Sequence, residues 1–432
     1  MNSGITNGMA NIRTNIRSNF GIYLHIPFCS SKCGYCDFLS FENKQDKYEA
    51  YTEALICEIS DFSKSPKYHG AFNTIKTIYI GGGTPTILPA HLLSKLLGAL
   101  YTLLPVAKMT DTKITDAKIT DAKITAPEIS CEANPGTLNS ENIEALITGG
   151  INRISLGLQA LQPRLLNAIG RRAVRFDIFL ENFKNLRKVG FNNINIDIMF
   201  ALPGQSLKDW EETLIKVTEL EPEHISAYGL TVEGDQIIPC DEETDRRMYH
   251  HCREFLQKRG YIQYELSNFS KVGYESQHNV GYWTRKPCIG FGLGAHSFDG
   301  ITRWHNTTDL DQYLGHYLGQ NKEHYQYQSQ NQYQSQYQNQ YQNQYQDQHI
   351  QQNHSKITIT EAMSEFMFLG LRMTKGISIS DFAKEFGSPV YDVFGPWINK
   401  MENDRLILND NQYISLTERG MDLANLVMAG FL

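Results

Sequence analysis

Short apolar or alternating runs recur between residues 20 and 230, and stretches with helical periodicity separate them. Runs of about four to eight such residues that end near Gly or Pro are typical of buried strands. Several of these runs end at the turn signals GGGTP, NPG and LPG. The pattern predicts six strands: FGIYLHI (20–26), TIKTIYI (74–80), PEISCEA (127–133), NRISLGL (152–158), NINIDIMF (193–200) and HISAYGL (224–230).

The segments between the predicted strands carry apolar residues at helical spacing. KYEAYTEALICEIS (47–60), SENIEALITGG (140–150) and RFDIFLENFKNLRKVG (175–190) are clear examples. A strand–helix alternation of this kind predicts parallel β/α units around a buried sheet. We therefore expect an α/β fold, an incomplete (β/α)6 TIM-like barrel that is open on one side. Its chemistry should lie at the C-terminal ends of the strands.

Two segments interrupt this pattern and look like insertions. MTDTKITDAKITDAKIT (109–125) repeats a short unit that is too small for a packed repeat architecture. The tract at 323–353 is rich in Gln, Asn and Tyr, a composition typical of a solvated linker. Neither segment has the patterning of a packed core.

Beyond the second insertion the chain returns to helical periodicity, and residues 393–428 then read as helix, short hairpin and helix. This order predicts a small winged-helix-like domain. The segment carries acidic residues and no basic cluster, so we expect packing or docking rather than DNA binding. The predicted organisation is a polar leader (1–19), a partial barrel with adjoining strands (20–300), a linker (301–354) and the C-terminal domain (355–432).

Charge and composition exclude some classes of function. Lys and Arg number 40 against 47 Asp and Glu, a net charge of −7, which gives no reason to expect nucleic acid as a partner. The sequence has no run of about 18 apolar residues that could span a membrane. Its N-terminal leader lacks the apolar core of a signal peptide. We therefore expect a cytoplasmic protein.

The cysteines are unevenly distributed along the chain. Cys29, Cys33 and Cys36 form a C-x3-C-x2-C pattern, whereas the others are scattered. In a reducing compartment, crowded thiols bind metal rather than pair with one another. We expect the scattered cysteines to be small buried hydrophobic residues: Cys57, Cys131, Cys240, Cys252 and Cys288.

The cysteine triplet is one ligand short of a closed zinc site, which uses four ligands. Thiolates also suit iron–sulfur clusters, and three of them can hold three corners of a [4Fe–4S] cube. Phe38 stands where a fourth cysteine could follow. The spacing favours a cluster whose fourth iron is open to a ligand from outside the chain, and zinc is the alternative.

The loop YLHIPFCSSKCGYCDF (23–38) follows the first predicted strand and resembles the cluster loop of the radical S-adenosylmethionine (SAM) superfamily. The resemblance implies that Cys29, Cys33 and Cys36 hold the cluster. It also implies that SAM chelates the open iron through its amine and carboxylate. In that superfamily the reduced cluster cleaves SAM to a 5′-deoxyadenosyl radical.

Further motifs follow in the order of the coproporphyrinogen-dehydrogenase-like branch of the superfamily. They are GGGTPT (81–86), CEANPGT (131–137), RISLGLQ (153–159), IGRR (169–172) and NIDIMFALPGQS (195–206). Glycines let backbone approach a ligand closely, and the first motif lacks the GKS or GKT of a phosphate loop. The resemblance implies that SAM is contacted by Tyr23, Tyr35, Gly82, Gly83, Thr84, Glu132, Gln159, Arg171 and Asp197.

Two families share this core and differ in function. The oxygen-independent coproporphyrinogen III dehydrogenase decarboxylates two propionates of a tetrapyrrole, and it usually has a fourth cysteine where Phe38 stands. The HemW family of haem chaperones is more similar, through HIPFCSSKCGYCDF, EANPGT and HNVGYW (278–283). HemW relatives usually read G-R-x-H where this chain has Gly170, Arg171, Arg172 and Ala173.

The string HNVGYW matches a signature proposed to take part in haem binding in HemW. By this resemblance His278 is an axial iron ligand, and Asn279, Tyr282 and Trp283 complete the site. His296, in the predicted edge strand GFGLGAHSF, is a weaker second ligand.

The resemblance to HemW implies a haem-transfer chaperone rather than an enzyme. Such a protein would bind a [4Fe–4S] cluster, SAM and haem, and would pass haem to acceptor apoproteins, including membrane-bound respiratory enzymes. A coproporphyrinogen dehydrogenase is the alternative.

Overall fold

The computed structural model describes residues 19–65, 75–104, 127–171, 175–231, 237–319 and 350–432. The polar leader apart from residue 19, the insertion at 109–125 and the tract as far as residue 349 lie outside the described residues. So do Arg172 and Ala173, where this chain departs from the HemW pattern.

Six parallel strands form the centre of the molecule, and they follow one another in space as they do in the sequence. This order confirms the predicted α/β partial barrel. Each strand lies within about two residues of the run that predicted it. The strands are β1 (Phe20–Ile26), β2 (Ile75–Gly82), β3 (Glu128–Ala133), β4 (Arg153–Gln159), β5 (Ile194–Phe200) and β6 (His224–Gly229).

Shorter strands extend the sheet at both edges. Beyond β6 lie β7 (Ile262–Gln263) and β8 (Asn268–Ser270), with β8 antiparallel to β6. On the other side β9 pairs parallel with β1, and antiparallel strands continue outward from it. These outer strands are β9 (Cys288–Phe291), β10 (His296–Phe298), β11 (Thr302–Asn306) and β12 (Gln351–Lys356).

The segment GFGLGAHSF is not the single edge strand that we expected. It contains the end of β9, a tight turn and then β10. Gly292 and Gly294 take φ values of +98° and +65° in this turn. Side chains other than Gly rarely adopt this left-handed region, so the two glycines reverse the chain direction.

Helices cover the outer face of the sheet. Helix α6 begins with a capping box formed by Ser206 and Asp209, and α5 ends at Gly190, whose φ is +109°. Short 3₁₀ turns occur at Gln45–Lys47, Pro85–Ile87 and Pro135–Thr137. The helices of this part are α1 (Tyr48–Lys64), α2 (Ala90–Leu103), α3 (Ser140–Thr148), α4 (Pro163–Ala168), α5 (Phe176–Val189), α6 (Leu207–Glu219), α7 (Glu242–Gln257), α8 (Gln277–Trp283) and α9 (Leu310–Gly319).

The two faces of the barrel strands differ in chemistry. Alternate residues such as Ile22, Leu24 and Ile78 belong to the large apolar core shared with the helices. The opposite face lines the barrel interior, and it is polar rather than filled with branched apolar side chains as in a closed TIM barrel. Its buried members include Thr77, Ser130, Arg153, Ser155, Asn195 and His224.

The C-terminal part has its own apolar core and a three-stranded antiparallel sheet in the order β13–β15–β14. This arrangement of helices around a hairpin agrees with the predicted winged-helix-like domain. Its elements are α10 (Ile359–Gly370), β13 (Ile377–Ser378), α11 (Ile379–Phe386), α12 (Val390–Asn403), β14 (Ile407–Asn409), β15 (Tyr413–Leu416), α13 (Glu418–Asp422) and α14 (Ala424–Ala429).

Ion pairs connect the C-terminal part to the segment that contains α8. The Arg285 guanidinium lies 3.0 Å from Glu365 and 2.9 Å from Glu385. The Arg372 guanidinium stacks over the Trp283 ring at 4.4 Å. Because Arg285 and Glu365 are both largely buried, removal of either partner would leave an unpaired charge buried between the two parts.

None of the helices in the described ranges has both the length and the apolarity that a membrane span requires.

We expect Gly83→Ala to destabilise the protein and to lower its content of bound iron. A Cβ at residue 83 would lie 2.5 Å from the Phe28 carbonyl oxygen, so the backbone of the cysteine loop would have to move. Overpacking of this kind costs about 1–3 kcal/mol. Thermal unfolding and iron analysis of the anaerobically prepared variant measure both effects.

The matched control is Gly98→Ala in α2, where a Cβ meets nothing within 4 Å. There the substitution should leave iron content unchanged and stabilise the helix by up to about 1 kcal/mol. Equal behaviour of the two variants would contradict the steric argument.

Candidate functional site

The three clustered cysteines lie on the loop that leaves the C-terminal end of β1. The amide of Cys29 donates to the Phe41 carbonyl oxygen at 3.0 Å, and the amide of Gly34 donates to that of Ile169 at 3.0 Å. These bonds fix both ends of the loop while the three thiols stay free and half-buried. Within the described ranges no three His, Cys, Asp or Glu side chains converge as a single metal ion would require.

A cubane cluster needs a different arrangement of thiolates from a single ion, because each cysteine binds a different iron. Burial raises the pKa of the Cys29 and Cys36 thiols. Both thiols must lose their protons to bind iron, and the positive charge of the metal strongly favours this loss. Because the three thiols do not converge on one point, their arrangement is compatible with a cluster.

The glycine motif lies directly against the cysteine loop. Strand β2 runs two residues further than predicted, through Gly81 and Gly82, because both pair in register with β1. The amide of Gly83 donates to Ile26 and that of Thr84 to Phe28, at 2.9 and 2.8 Å. The Thr84 hydroxyl also lies 3.8 Å from the Cys29 thiol.

Glu132 ends β3 beside the glycine motif. Its carboxylate accepts hydrogen bonds from the Tyr79 hydroxyl at 2.8 Å and from the Gly82 amide at 3.1 Å. Burial raises the pKa of Glu132 to about 7. A polar ligand that approaches Gly82 and Gly83 would therefore meet a carboxylate already held in place.

Two more residues expected to contact SAM project into the barrel interior. Asp197 on β5 accepts from the Ser155 hydroxyl at 2.9 Å and from the Asn195 amide at 2.8 Å, and burial raises the pKa of Asp197. The Tyr23 hydroxyl lies 2.9 Å from Nδ1 of His25, whose Nε2 lies 2.8 Å from the Leu39 carbonyl oxygen.

Gln159 and Arg171 connect the end of β4 to the cysteine loop. Gln159 has a φ of +63°, and its buried Oε1 has no hydrogen-bond partner. The Arg171 guanidinium donates to the Gly157 carbonyl oxygen at 3.2 Å, and it lies 3.5 Å from the Tyr35 hydroxyl and 3.9 Å from the Cys33 thiol. Burial raises the pKa of Tyr35.

The chemistry of this end of the barrel fits a cluster with a bound nucleotide. Three free thiols, the Glu132 carboxylate held by the Gly82 amide, and the unpaired oxygen of Gln159 lie around one set of strand ends. An unpaired, buried polar atom is costly unless a ligand or water completes it. The structure thus brings together the cysteines and the residues that the resemblance assigned to SAM.

The string HNVGYW lies at the other end of the barrel. It forms α8 rather than a loop, and the Ser276 side chain accepts a hydrogen bond from the Asn279 amide at its start. The amides of Gln277 and His278 donate to Glu128, the first residue of β3. The helix therefore crosses the N-terminal ends of the strands, opposite the cysteine loop.

His278 is buried in the barrel mouth at this end. Nδ1 lies 2.8 Å from the Thr77 hydroxyl, and Nε2 lies 2.9 Å from the Tyr282 hydroxyl. Its ring stacks on Tyr79 with centroids 5.1 Å apart. Burial lowers the pKa of His278 to about 3, so the imidazole is neutral at physiological pH.

His278 and Tyr282 line an open cavity of about 180 Å³, whereas Asn279 and Trp283 do not. Residues four apart share a helix face, so 278 and 282 face the cavity while 283 faces the C-terminal part. The Trp283 ring packs on Arg372, and its buried Nε1 has no partner. The haem roles of Asn279 and Trp283 stay predictions.

Comparisons with known proteins agree with this architecture. Residues 23–217 match the radical SAM superfamily, and residues 357–423 match the HemN C-terminal domain. The solved coproporphyrinogen III oxidase HemN of Escherichia coli has the same fold, with a TM-score of 0.73 and 19% identity over 98% of this chain and 92% of that chain.

Sequence relatives decide between the two branches. The haem chaperone HemW of Lactococcus lactis is 31% identical over 95% of this chain and 96% of its own length. HemW of Bacillus subtilis is 33% identical over 95% of this chain and 98% of its own length. The chain belongs to the HemW family. For this HemW protein the Radical SAM match implies a [4Fe–4S] cluster and SAM.

His296 lies away from the cavity beside α8 in this HemW chain. It is exposed on β10, and its ring stacks on His305 with centroids 5.0 Å apart. Its role as a second iron ligand stays a prediction. None of the scattered cysteines, all of which lie in the described ranges, forms a disulfide; Cys240 is half-buried, and the buried ones are Cys57, Cys131, Cys252 and Cys288.

Several polar residues of the barrel interior escaped the sequence analysis. Thr77 and Tyr79 contact His278, and Arg153 is a buried cation whose Nε has no partner. Alternation along β2 and β4 places polar residues on one face, which is the signal that could have found them. The apolar residues of the same strands dominated the pattern, so the polar face was not recognised.

We expect Arg171→Lys to lower cluster content and to weaken SAM binding by roughly tenfold, the equivalent of one hydrogen bond to a charged group. A lysine cannot span the Gly157 carbonyl and the cysteine loop as the planar guanidinium does. Iron and sulfide analysis and equilibrium dialysis with SAM measure the two effects.

Arg164→Lys is the matched control. Arg164 is an exposed arginine that pairs with Asp209 on the surface, so this exchange should change neither quantity. Loss of cluster in both variants, or in neither, would contradict the assigned role of Arg171.

Proposed function

We propose that this protein is a haem chaperone that holds a [4Fe–4S] cluster, SAM and haem and transfers haem to acceptor proteins. The extent of the match to the HemW relatives supports this proposal. The observation that carries it is the position of His278 at the opposite end of the barrel from the cysteine loop.

In this proposal Cys29, Cys33 and Cys36 hold the cluster, which, when bound, supplies an open iron for SAM. The chain's own residues bind and orient the nucleotide. The Gly82 amide holds Glu132 in place, Glu132 and Asp197 offer carboxylate oxygens that accept hydrogen bonds, and Arg171 fixes the cysteine loop against β4.

The separation of the two ends bears on the choice between chaperone and decarboxylase. Gly21, whose Cα hydrogen faces His278, lies five residues before Ile26, which at about 3.3 Å per residue is about 16 Å along β1. Reacting groups must approach to about 3–3.5 Å. The iron of a haem bound to His278 would lie at the opposite end of the barrel from the cysteine loop, an arrangement that supports carriage of haem over its modification.

The cavity beside α8 has the chemistry of a haem seat. Phe20, Val280 and Pro287 contribute apolar surface, and His278 supplies a nitrogen donor. A cavity of about 180 Å³ is smaller than the roughly 300–1,000 Å³ that encloses a whole small-molecule ligand, so haem would remain partly exposed. Partial exposure suits a carrier that must release its ligand to another protein.

We further propose that the protein acts in the cytoplasm and that its acceptors include membrane-bound respiratory enzymes. The absence of a membrane-spanning helix in the described ranges is consistent with contact to such acceptors from one side. Acceptor contacts would have to reach the exposed edge of haem beside α8.

Haemin titration of the anaerobically reconstituted protein tests the proposal. We expect a Soret band in the wild type that shifts and weakens in His278→Ala, because the nitrogen ligand is lost. The control is His250→Ala on α7, where the imidazole pairs with Asp422 outside the cavity lining, and it should leave the band unchanged. Unchanged binding in His278→Ala would remove that residue from the site.

A parallel incubation with SAM, a reductant and coproporphyrinogen tests the alternative activity. The proposal predicts no protoporphyrinogen. Its formation would instead assign the chain to the oxidative decarboxylases.

Two lysines at the cavity rim give a second prediction. Lys76 and Lys286 are exposed and line the cavity, so they can pair with the two propionates of haem. Replacing both by Gln should weaken haemin binding by about tenfold at low salt, since each exposed pair contributes up to about 1 kcal/mol. Haemin dimethyl ester, which lacks the carboxylates, should bind the variant and the wild type equally.

Lys258→Gln on α7, an exposed lysine outside the cavity lining, is the control and should bind haemin like the wild type. A tenfold loss with the diester as well would show that the lysines do not act through the propionates.

A further inference from the structure

Both ring nitrogens of His278 are already in hydrogen bonds. Nδ1 lies 2.8 Å from the Thr77 hydroxyl and Nε2 lies 2.9 Å from the Tyr282 hydroxyl. A neutral imidazole carries one proton, so one nitrogen donates and the other accepts. An iron ligand needs the accepting nitrogen, which makes the choice of tautomer decisive.

The two hydrogen-bond partners of His278 differ in how freely they can move. Thr77 lies on β2 between β1 and β3 and is 5% exposed, so its hydroxyl is held by the sheet. Tyr282 lies one turn further along α8 and is 38% exposed. Its hydroxyl has one other contact, the Cys288 thiol at 3.7 Å. Rotation of the Tyr282 side chain into solvent would break its bond to Nε2, the contact with Cys288 and the edge-on packing of its ring against His278.

The imidazole itself has little freedom to turn. The Tyr79 ring stacks on it, and the Tyr79 hydroxyl is in turn held by Glu132. On the other side Gly21 leaves room for the ring, since a Cβ there would lie 3.2 Å from Cε1 of His278. The ring is therefore fixed with Nδ1 toward the sheet and Nε2 toward Tyr282 and the cavity.

We propose that Thr77 and Tyr282 are positioning residues of the haem site: Thr77 accepts from Nδ1–H and so leaves the Nε2 lone pair for iron, and Tyr282 caps that lone pair until haem displaces its hydroxyl. The inference rests on the proposed function of His278. It adds Thr77, an orienting partner that lies outside the HNVGYW signature. It also gives Tyr282, which lies within the signature, the role of a gate.

The gate has a chemical consequence for a carrier protein. In the empty protein the Tyr282 hydroxyl satisfies Nε2, so no buried acceptor is left unpaired. On release of haem the same hydroxyl can return to Nε2 and compensate for the lost iron bond. Exchange of one partner for the other raises the cost of loading and lowers the cost of unloading.

Nitrogen-15 NMR of the histidine side chains in the haem-free protein, with His278 assigned by comparison with His278→Ala, tests the tautomer directly. We expect the proton on Nδ1 in the wild type. A proton on Nε2 would overturn the proposal, because Tyr282 would then be an acceptor and the iron-facing lone pair would be absent.

Haemin binding to three variants tests the two roles. Thr77→Val keeps the shape but removes the acceptor, and we expect a loss of affinity of roughly 10–100-fold, as for other partners of metal-bound histidines. Thr77→Ser should restore most of the affinity. Tyr282→Phe should bind about two- to tenfold more tightly with faster association, because one hydrogen bond no longer competes with iron.

The outcomes separate this inference from the proposed function. If His278→Ala binds haemin like the wild type, the site itself is wrong. If His278→Ala loses binding while Thr77→Val keeps wild-type affinity and Soret position, the site stands and the role of Thr77 is wrong. Slower association or weaker binding in Tyr282→Phe would overturn the gate. Should Thr77→Val fail to fold by circular dichroism, the NMR result and Tyr282→Phe still decide.

Discussion

The structure depends on the backbone pairing between the end of β2 and the loop that carries the cysteines. The amides of Gly83 and Thr84 donate to Ile26 and Phe28, so the glycine motif and the cysteine loop form one rigid unit. This pairing is possible because residue 83 has no Cβ, which would collide with the Phe28 backbone. The residues assigned to the cluster and to SAM lie at the same end of the barrel as this unit, because the parallel strands bring their C-terminal ends to one edge of the sheet.

The polar interior of the barrel explains how one fold can serve two ligands. Thr77, Ser130, Ser155 and Asn195 replace the branched apolar side chains that fill closed TIM barrels, and most are satisfied by neighbouring side chains. Tyr79 spans this interior: its hydroxyl bonds to Glu132 at one end and its ring stacks on His278 at the other. The two candidate sites are therefore separate in space but share a wall residue.

The C-terminal part contributes to the second site without lining it. Arg372 packs on Trp283, and Arg285, which follows α8 directly, pairs with Glu365 and Glu385. These contacts hold the short helix that presents His278 and Tyr282, which by itself has too few residues to be stable. The likeness to HemN, at 19% identity, shows a shared fold and assigns no chemistry to this chain.

The sequence by itself determined the strand–helix alternation, the cysteine spacing and the family motifs, because each is a local pattern of residue types. Strands ending at GGGTP and CEANPGT were predictable to about two residues, and so was the α/β barrel. Tertiary structure alone decided that HNVGYW forms a helix across the opposite barrel mouth, that Trp283 faces away from the cavity, and that Thr77 and Tyr79 contact His278. Thr77 and His278 are 201 positions apart in the chain and meet only because the sheet brings them together. No local pattern encodes which distant partners a barrel brings into contact.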